Sequence, residues 1–247
     1  MDLSDLEFLE SETHDEIVVL EMDHPPENRF SQPFLDEINA ALDRAEKDDS
    51  LRGVVFTGAN EKFFSNGLDL GWLIDKGREV WEDFCINWEE LLHRVFIFGK
   101  PVVAAINGHA FAGGLFLALT ADWRVMRQDR GWCCIPEIDL NLDLPPGNVA
   151  LIAHVIGTRN ADYYSLTAER LTPQEALRIG MVDELAEKED VVSRAIEKAR
   201  QLSKKNPDQY ARHKRIIRAA PARSLKEEDP PFLRELLQKD LETRYPG

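Results

Sequence analysis

Short, unbroken apolar runs alternate along this chain with longer stretches in which apolar residues return every three or four positions. Ile17 to Leu20, Val54 to Thr57 and Val102 to Ile106 are the runs, and they predict strands buried on both faces. Leu6 to Leu9 predicts a weaker partner strand before them. The helical stretches lie between. Ser31 opens one that repeats through Phe34, Leu35, Ile38, Ala41, Leu42 and Ala45, and Trp81 to Phe96 forms another. Pro25-Pro26 marks a turn, Asn60 to Asp69 reads as a loop turning at Gly67, and Leu70 to Ile74 reads as a short helix. Strand, helix, strand in repetition predicts an α/β fold with parallel crossovers.

The stretch from Lys100 to Glu137 carries most of the candidate chemistry. Its buried strand breaks at Asn107-Gly108, passes through small residues to Gly113-Gly114, and becomes an apolar helix over Leu115 to Leu119. Such a strand, glycine turn and helix start leave backbone N–H groups free where negative charge can settle. Trp123 to Met126 predicts another strand. After it, Glu137 stands alone between Ile135-Pro136 and Ile138. These flanks would desolvate the carboxyl and raise its pKa. If the segment is extended, Asp139 shares its side.

Past Glu137, Pro145-Pro146-Gly147 predicts a turn and the next residues a helix. Thr172-Pro173-Gln174-Glu175 has the composition of a capping box, and Met181 to Leu185 reads as a short strand. Beyond residue 188 only helices are expected: Val191 to Leu202, Asp208 to Ala219, and one from Asp229 that carries Phe232, Leu233, Leu236, Leu237 and Leu241. The charged SLKEED segment between the last two reads as an exposed linker. The chain thus divides into a core, 1–188, and a helical region, 189–247.

Composition narrows the partners. A length of 247 residues is enough for a full core, and a net charge of -15 argues against nucleic acid or an anionic membrane as partner. Cys85, Cys133 and Cys134 form neither a CxxC nor a Cys/His ligand pattern, so no disulfide framework and no metal site are expected. A buried cysteine and a nucleophile are both open readings of Cys133 and Cys134. The first residues lack a signal peptide's pattern, RYPG is no peroxisomal address, and a cytoplasmic location is expected.

FFSNGLDL, KPVVAAINGHAFAGGLFLALTADWRVM, PEIDL and LTPQEALRIGMVDEL, in this order, resemble the crotonase (enoyl-CoA hydratase/isomerase) superfamily across roughly residues 15 to 185. The resemblance implies a spiral of repeated β-β-α units with a C-terminal helical region used in oligomerisation, as a homotrimer or a hexamer. It implies acyl-CoA as the small-molecule partner, with coenzyme A arriving as part of the substrate and no permanently bound cofactor. It implies that the thioester oxygen is held by the N–H groups of Leu68 and Gly113, and that Glu137 is the acid/base. A developing enolate needs such preorganised donors in a dry site. Lys62 falls where the family contacts phosphate, and Ser65-Asn66 where its backbone meets adenine. Lys214 and Arg215 are further phosphate candidates, and Trp72, Leu73 and Trp88 candidates for the acyl pocket. His109 has no partner in the motif and reads as packing.

One departure from the family pattern decides the expected reaction. Where hydratases carry a second glutamate this chain has Phe116. Adding water asks for two groups, whereas shifting a double bond asks for one base that returns the proton elsewhere. The pattern is most similar to the Δ3,Δ2-enoyl-CoA isomerases, including Asp129-Arg130-Gly131 ahead of the glutamate, and lack of a peroxisomal signal favours a bacterial relative. The alternatives are a hydratase, another acyl-CoA lyase or hydrolase on the same scaffold, and a non-catalytic acyl-CoA-binding member.

Overall fold

The computed structural model describes residues 6–76 and 79–244. The expectations about terminal signals fall partly on residues outside these, and the side chain of Leu241 is also outside the description. The chain opens with the hairpin β1 (Leu9–His14) and β2 (Ile17–Met22), paired antiparallel. The predicted weak strand therefore exists but starts at Leu9. Helix α1 (Gln32–Lys47) follows, with Ser31 at its N-cap position.

Three turns of a spiral come next. The first is β3 (Gly53–Gly58), β4 (Phe63–Ser65), α2 (Leu70–Lys76) and α3 (Glu79–Phe96). The second is β5 (Val102–Ile106), β6 (His109–Phe111) and α4 (Gly113–Thr120). The third is β7 (Trp123–Arg127), β8 (Cys133–Cys134), α5 (Pro146–Ile156) and α6 (Thr158–Thr167). Then α7 (Pro173–Arg178) leads to β9 (Glu184–Ala186). The capping box at Thr172 is formed: Glu175 N–H donates to its hydroxyl, and its own N–H donates to the Glu175 carboxylate.

The first strand of each turn joins a six-stranded sheet in the order β1-β2-β3-β5-β7-β9, parallel from β2 onward. The second strand joins a separate three-stranded sheet, β4-β6-β8, also parallel. Alternation along the large sheet sorts its side chains into two cores. Val18, Leu20, Val54, Phe56, Val102 and Ala104 face α1, α3 and α4, whereas Ile17, Val19, Val55, Val103 and Val125 face the other way. This second face is closed by Val191, Ala195, Ile196 and Ala199 of α8 (Val191–Ser203).

The remaining helices are α9 (Pro207–Ile217), α10 (Ala219–Arg223) and α11 (Asp229–Arg244). The SLKEED segment is not an exposed linker: Ser224–Glu228 is a π-helical turn joining α10 to α11, with Ser224 and Leu225 buried. Leu225 packs in the main core, Lys226, Glu227 and Glu228 lie on the outer side, and Asp229 is buried. No helix among the described residues is long and apolar enough to cross a membrane.

Lys214 corrects another expectation. It is not a surface phosphate contact but is buried, donating to Asp122 Oδ2 at 2.9 Å, while Arg218 meets Asp122 Oδ1 at 3.0 Å. Asp122 also accepts from Val102 N–H, so the pair pins α9 to the start of β5. Burial pushes the Lys214 ammonium down to about 8. Removing one partner of a buried pair strands the other. Lys214→Ala is accordingly expected to lose about 3 kcal/mol in urea unfolding, whereas Arg215→Ala, at an exposed position, should lose almost nothing.

Candidate active site

The small sheet gathers the site. Its three strands run parallel, and each predicted position follows the carboxyl end of one of them: Leu68 after β4, Gly113 after β6 and Glu137 after β8. Ala110 pairs with Cys133 and Phe111 with Cys134, and Ala112 N–H donates to Cys134 O at 3.1 Å. Carboxyl ends of parallel strands are where open α/β sheets present ligand sites.

The turn after β4 is clamped from outside. Ser65 is fully buried; its hydroxyl donates to Asn28 O at 2.6 Å and accepts from Gly67 N–H at 3.2 Å. Asn28 in turn donates to Phe64 O at 3.1 Å. Asn66 N–H donates to Glu27 O, and its side-chain amide to the Glu27 carboxylate. Phe30 N–H donates to Gly67 O, and Asp69 N–H to Phe30 O. Asn28 is the residue that sequence reasoning missed. Its place after Pro25-Pro26 marks a turn but does not say that the turn supports this one.

Backbone approach here is closer than side chains permit. Gly67 has φ +84, and a Cβ on it would stand 2.9 Å from Ala112 Cβ and 3.0 Å from Gly113 N. A Cβ on Gly114 would lie 2.3 Å from Ser65 O. Ala112 itself turns through φ 49, ψ -128, a conformation costly for an L residue. The turns carrying Leu68 and Gly113 therefore abut. Neither N–H has a hydrogen-bond partner among the described residues, and Gly113 opens α4, where the helix dipole adds positive potential.

Glu137 is 7 % exposed, and its Oε2 has no hydrogen-bond partner among the described residues. Burial raises its carboxyl from 4.5 to about 7. The segment is not extended, however. Leu140 N–H donates to Pro136 O and Leu142 N–H to Glu137 O, making a compact turn in which Ile138 and Asp139 are exposed. Asp139 is thus no partner of Glu137, and Ile138 does not desolvate it; Ile135 and half-buried Pro136 are its inward flanks. Phe116, one turn into α4, is 4 % exposed and belongs to the main core.

The other candidates divide. Trp88 packs on Phe30 with centroids 4.8 Å apart, and its Cζ2 would meet a Cβ on Gly113 at 3.0 Å, so it backs the glycine turn. Leu73 is buried and Trp72 half-buried. Lys62 is exposed beside the Phe63 ring. His109 sits among the rings of Phe63, Phe111 and Trp132, and its Nδ1 accepts from Trp132 N–H, which is packing. Burial pushes the Cys133 thiol up to about 12 and that of Cys134 to about 11, so neither is a thiolate nucleophile at neutral pH. No cluster of three His, Cys, Asp or Glu side chains among the described residues is arranged to hold a metal ion.

A spiral of two-strand-and-helix turns, with paired backbone donors and one buried carboxyl at the strand ends of its smaller sheet, is the crotonase architecture. Residues 12–236 match the enoyl-CoA hydratase/isomerase family model, and the chain belongs to that family. It is 32% identical over 181 residues to the peroxisomal enoyl-CoA delta isomerase 2 of Arabidopsis thaliana, covering 71% of this chain and 75% of that one. It is also 32% identical over 211 residues to the carnitinyl-CoA dehydratase of Salmonella arizonae, covering 85% and 80%. The human mitochondrial delta3-delta2-enoyl-CoA isomerase structure superposes with TM-score 0.89 at 28% identity, over 95% of this chain and 93% of that one.

The raised Glu137 carboxyl links stability to pH. The folded chain holds this proton more tightly than the unfolded chain, so the associated stability is complete below about 4.5 and lost as pH rises through about 7. Glu137→Gln keeps a neutral group there. Its stability relative to wild type should rise by up to about 3 kcal/mol between pH 5 and pH 8, read from urea unfolding at both values.

Proposed function

We propose that the protein is an enoyl-CoA isomerase that moves a 3-enoyl-CoA double bond to the 2-position. The observation that carries this reading is the one buried carboxyl at the strand ends of the small sheet, Glu137, with Phe116 where a second acid would stand. A carboxyl poised near neutrality can both take and return a proton. In the proposed sequence, Glu137 removes a proton from C2; the C2–H electrons form a C1–C2 double bond while the carbonyl π electrons move to the thioester oxygen, giving a dienolate. The negative charge on the thioester oxygen is held by the N–H groups of Leu68 and Gly113. The dienolate then collapses: the oxygen re-forms the thioester carbonyl, the C1–C2 electrons become the C2–C3 double bond, and the C3–C4 double-bond electrons take the proton back from Glu137 at C4. Atoms and electrons balance without any co-reactant.

Coenzyme A enters as part of the substrate, with Lys62 at its phosphates and the Ser65–Asn66 backbone along the adenine. The exposed position of Lys62 supports the first assignment. The buried Ser65 side chain leaves only the segment's backbone for the second. A homotrimer or hexamer is the proposed assembly. Exposed Tyr163 and Leu166 on α6, together with Ile216 and Ile217 on α9, support subunit contacts there. The likeness to a dehydratase favours a second reading, elimination or addition of water. That reaction would need a group to hold the water, and Phe116 offers none.

Wild type and Glu137→Gln, each given 3-enoyl-CoA and 2-enoyl-CoA of several chain lengths, separate these readings when products are resolved by mass and retention. We expect isomer as the product, a fall in kcat of about 10²–10⁴-fold in the variant, and kcat/KM rising with pH through about 7 as Glu137 ionises. A water adduct or free coenzyme A as the main wild-type product would sink the isomerase reading.

A further inference from the structure

A second buried carboxyl pair lies away from Glu137, where α3, α5 and α11 meet. Glu89 is 3% exposed and Asp229 0% exposed. Glu89 Oε1 accepts from the Asn148 amide at 2.8 Å, and Asp229 Oδ1 accepts from Gly147 N–H at 2.6 Å. The two carboxyls thus converge on consecutive residues at the first turn of α5. Yet their remaining oxygens, Glu89 Oε2 and Asp229 Oδ2, have no donor among the described residues. Two neighbouring carboxyls in a buried site repel each other when both are ionised, and a proton held between them removes that cost.

The fit around the pair is tight. A Cβ on Gly147 would stand 2.3 Å from Asp229 Oδ2 and 2.5 Å from Leu225 Cα, so the tail can approach the first turn of α5 only over a glycine. The charged surroundings do not supply a counterion. α11 is preceded by Glu228, whose charge opposes ionisation of Asp229, and α3 contributes Cys85, whose thiol is pushed up by burial and by Glu89. Farther along the same interface, burial and then the Lys226 charge lower His93. The titratable residue of α5, His154, faces Phe96 instead.

We propose that Glu89 and Asp229 share one proton and form a latch that fastens the C-terminal helix to α3 and α5, released when that proton is lost. Burial, followed by the Asp229 charge, raises Glu89 well above its ordinary range, and burial raises Asp229 less, so Glu89 donates and Asp229 accepts. Both groups bind protons more tightly in the folded chain. Their contribution is therefore complete at acid pH and lost as pH rises through the folded values. Trp88, next to Glu89, backs Gly113, so the latch also steadies the helix behind the glycine turn.

The test is hydrogen–deuterium exchange by mass spectrometry on the full chain from pH 6 to 10, corrected for intrinsic exchange rates. Peptides covering 219–238 are compared with those of β3 and β5. We expect wild-type protection of the tail to fall with pH, approaching roughly tenfold per pH unit, the limit for one proton. In Glu89→Gln and in Asp229→Asn, which keep a donor between the side chains, the tail's dependence should vanish. A flat wild-type profile would overturn the proposal, as would a steep profile that persists in both variants. Failure of both variants to fold would also overturn it, because an amide that keeps a donor between the side chains should replace a shared proton.

Discussion

Two glycine turns meet where no side chain fits, and the site depends on that contact. Gly114 passes under Ser65 O, and Gly67 lies against Ala112 and Gly113 N, at separations that a single added Cβ would close. Everything nearby serves to hold this approach: Asn28 braces Ser65 and Phe64, Trp88 backs Gly113, and Ala112 accepts an unfavourable backbone conformation. Strain stored at a site must be held by its surroundings. Here the brace is a buried hydrogen-bond network on one side and aromatic packing on the other.

Burial is put to three different uses in this chain. Around Asp122, Lys214 and Arg218 it isolates opposite charges that satisfy one another and tie the tail to the sheet. At Glu137 it leaves one carboxyl oxygen unpaired and lifts the group toward neutrality, which suits proton transfer. At Glu89 and Asp229 it brings two acids together without a cation. The same desolvation therefore acts on a structural clamp, on the proposed acid/base and on the proposed shared-proton contact, with an outcome set by what faces the buried charge.

The centre of the large sheet, β2, β3 and β5, was legible in the sequence because these strands are apolar runs, and the long helices because their apolar stripes repeat; the edge strands β1 and β9 carry too few apolar residues to fix their bounds. The small sheet was not legible from the pattern. β4, β6 and β8 have 3, 3 and 2 residues, too few for any periodicity to register. The residue pattern alone therefore read a loop at Asn60 to Asp69, and only the family resemblance supplied a second strand in each turn. Long-range contacts account for the other misses. The charges of SLKEED hide the burial of Leu225, and nothing local says that Lys214 meets Asp122 or that Glu137 heads a turn.

The central claim is that one carboxyl carries a proton from C2 to C4 of the substrate. It is tested most directly by single-turnover conversion of 3-enoyl-CoA stereospecifically deuterated at C2, with the position of deuterium in the product read by NMR. Because Glu137 is 7 % exposed, its deuteron should be returned before it exchanges with solvent, and part of the label should appear at C4. Label lost entirely to water, with hydrogen at C4 drawn only from solvent, would contradict the single-carboxyl account.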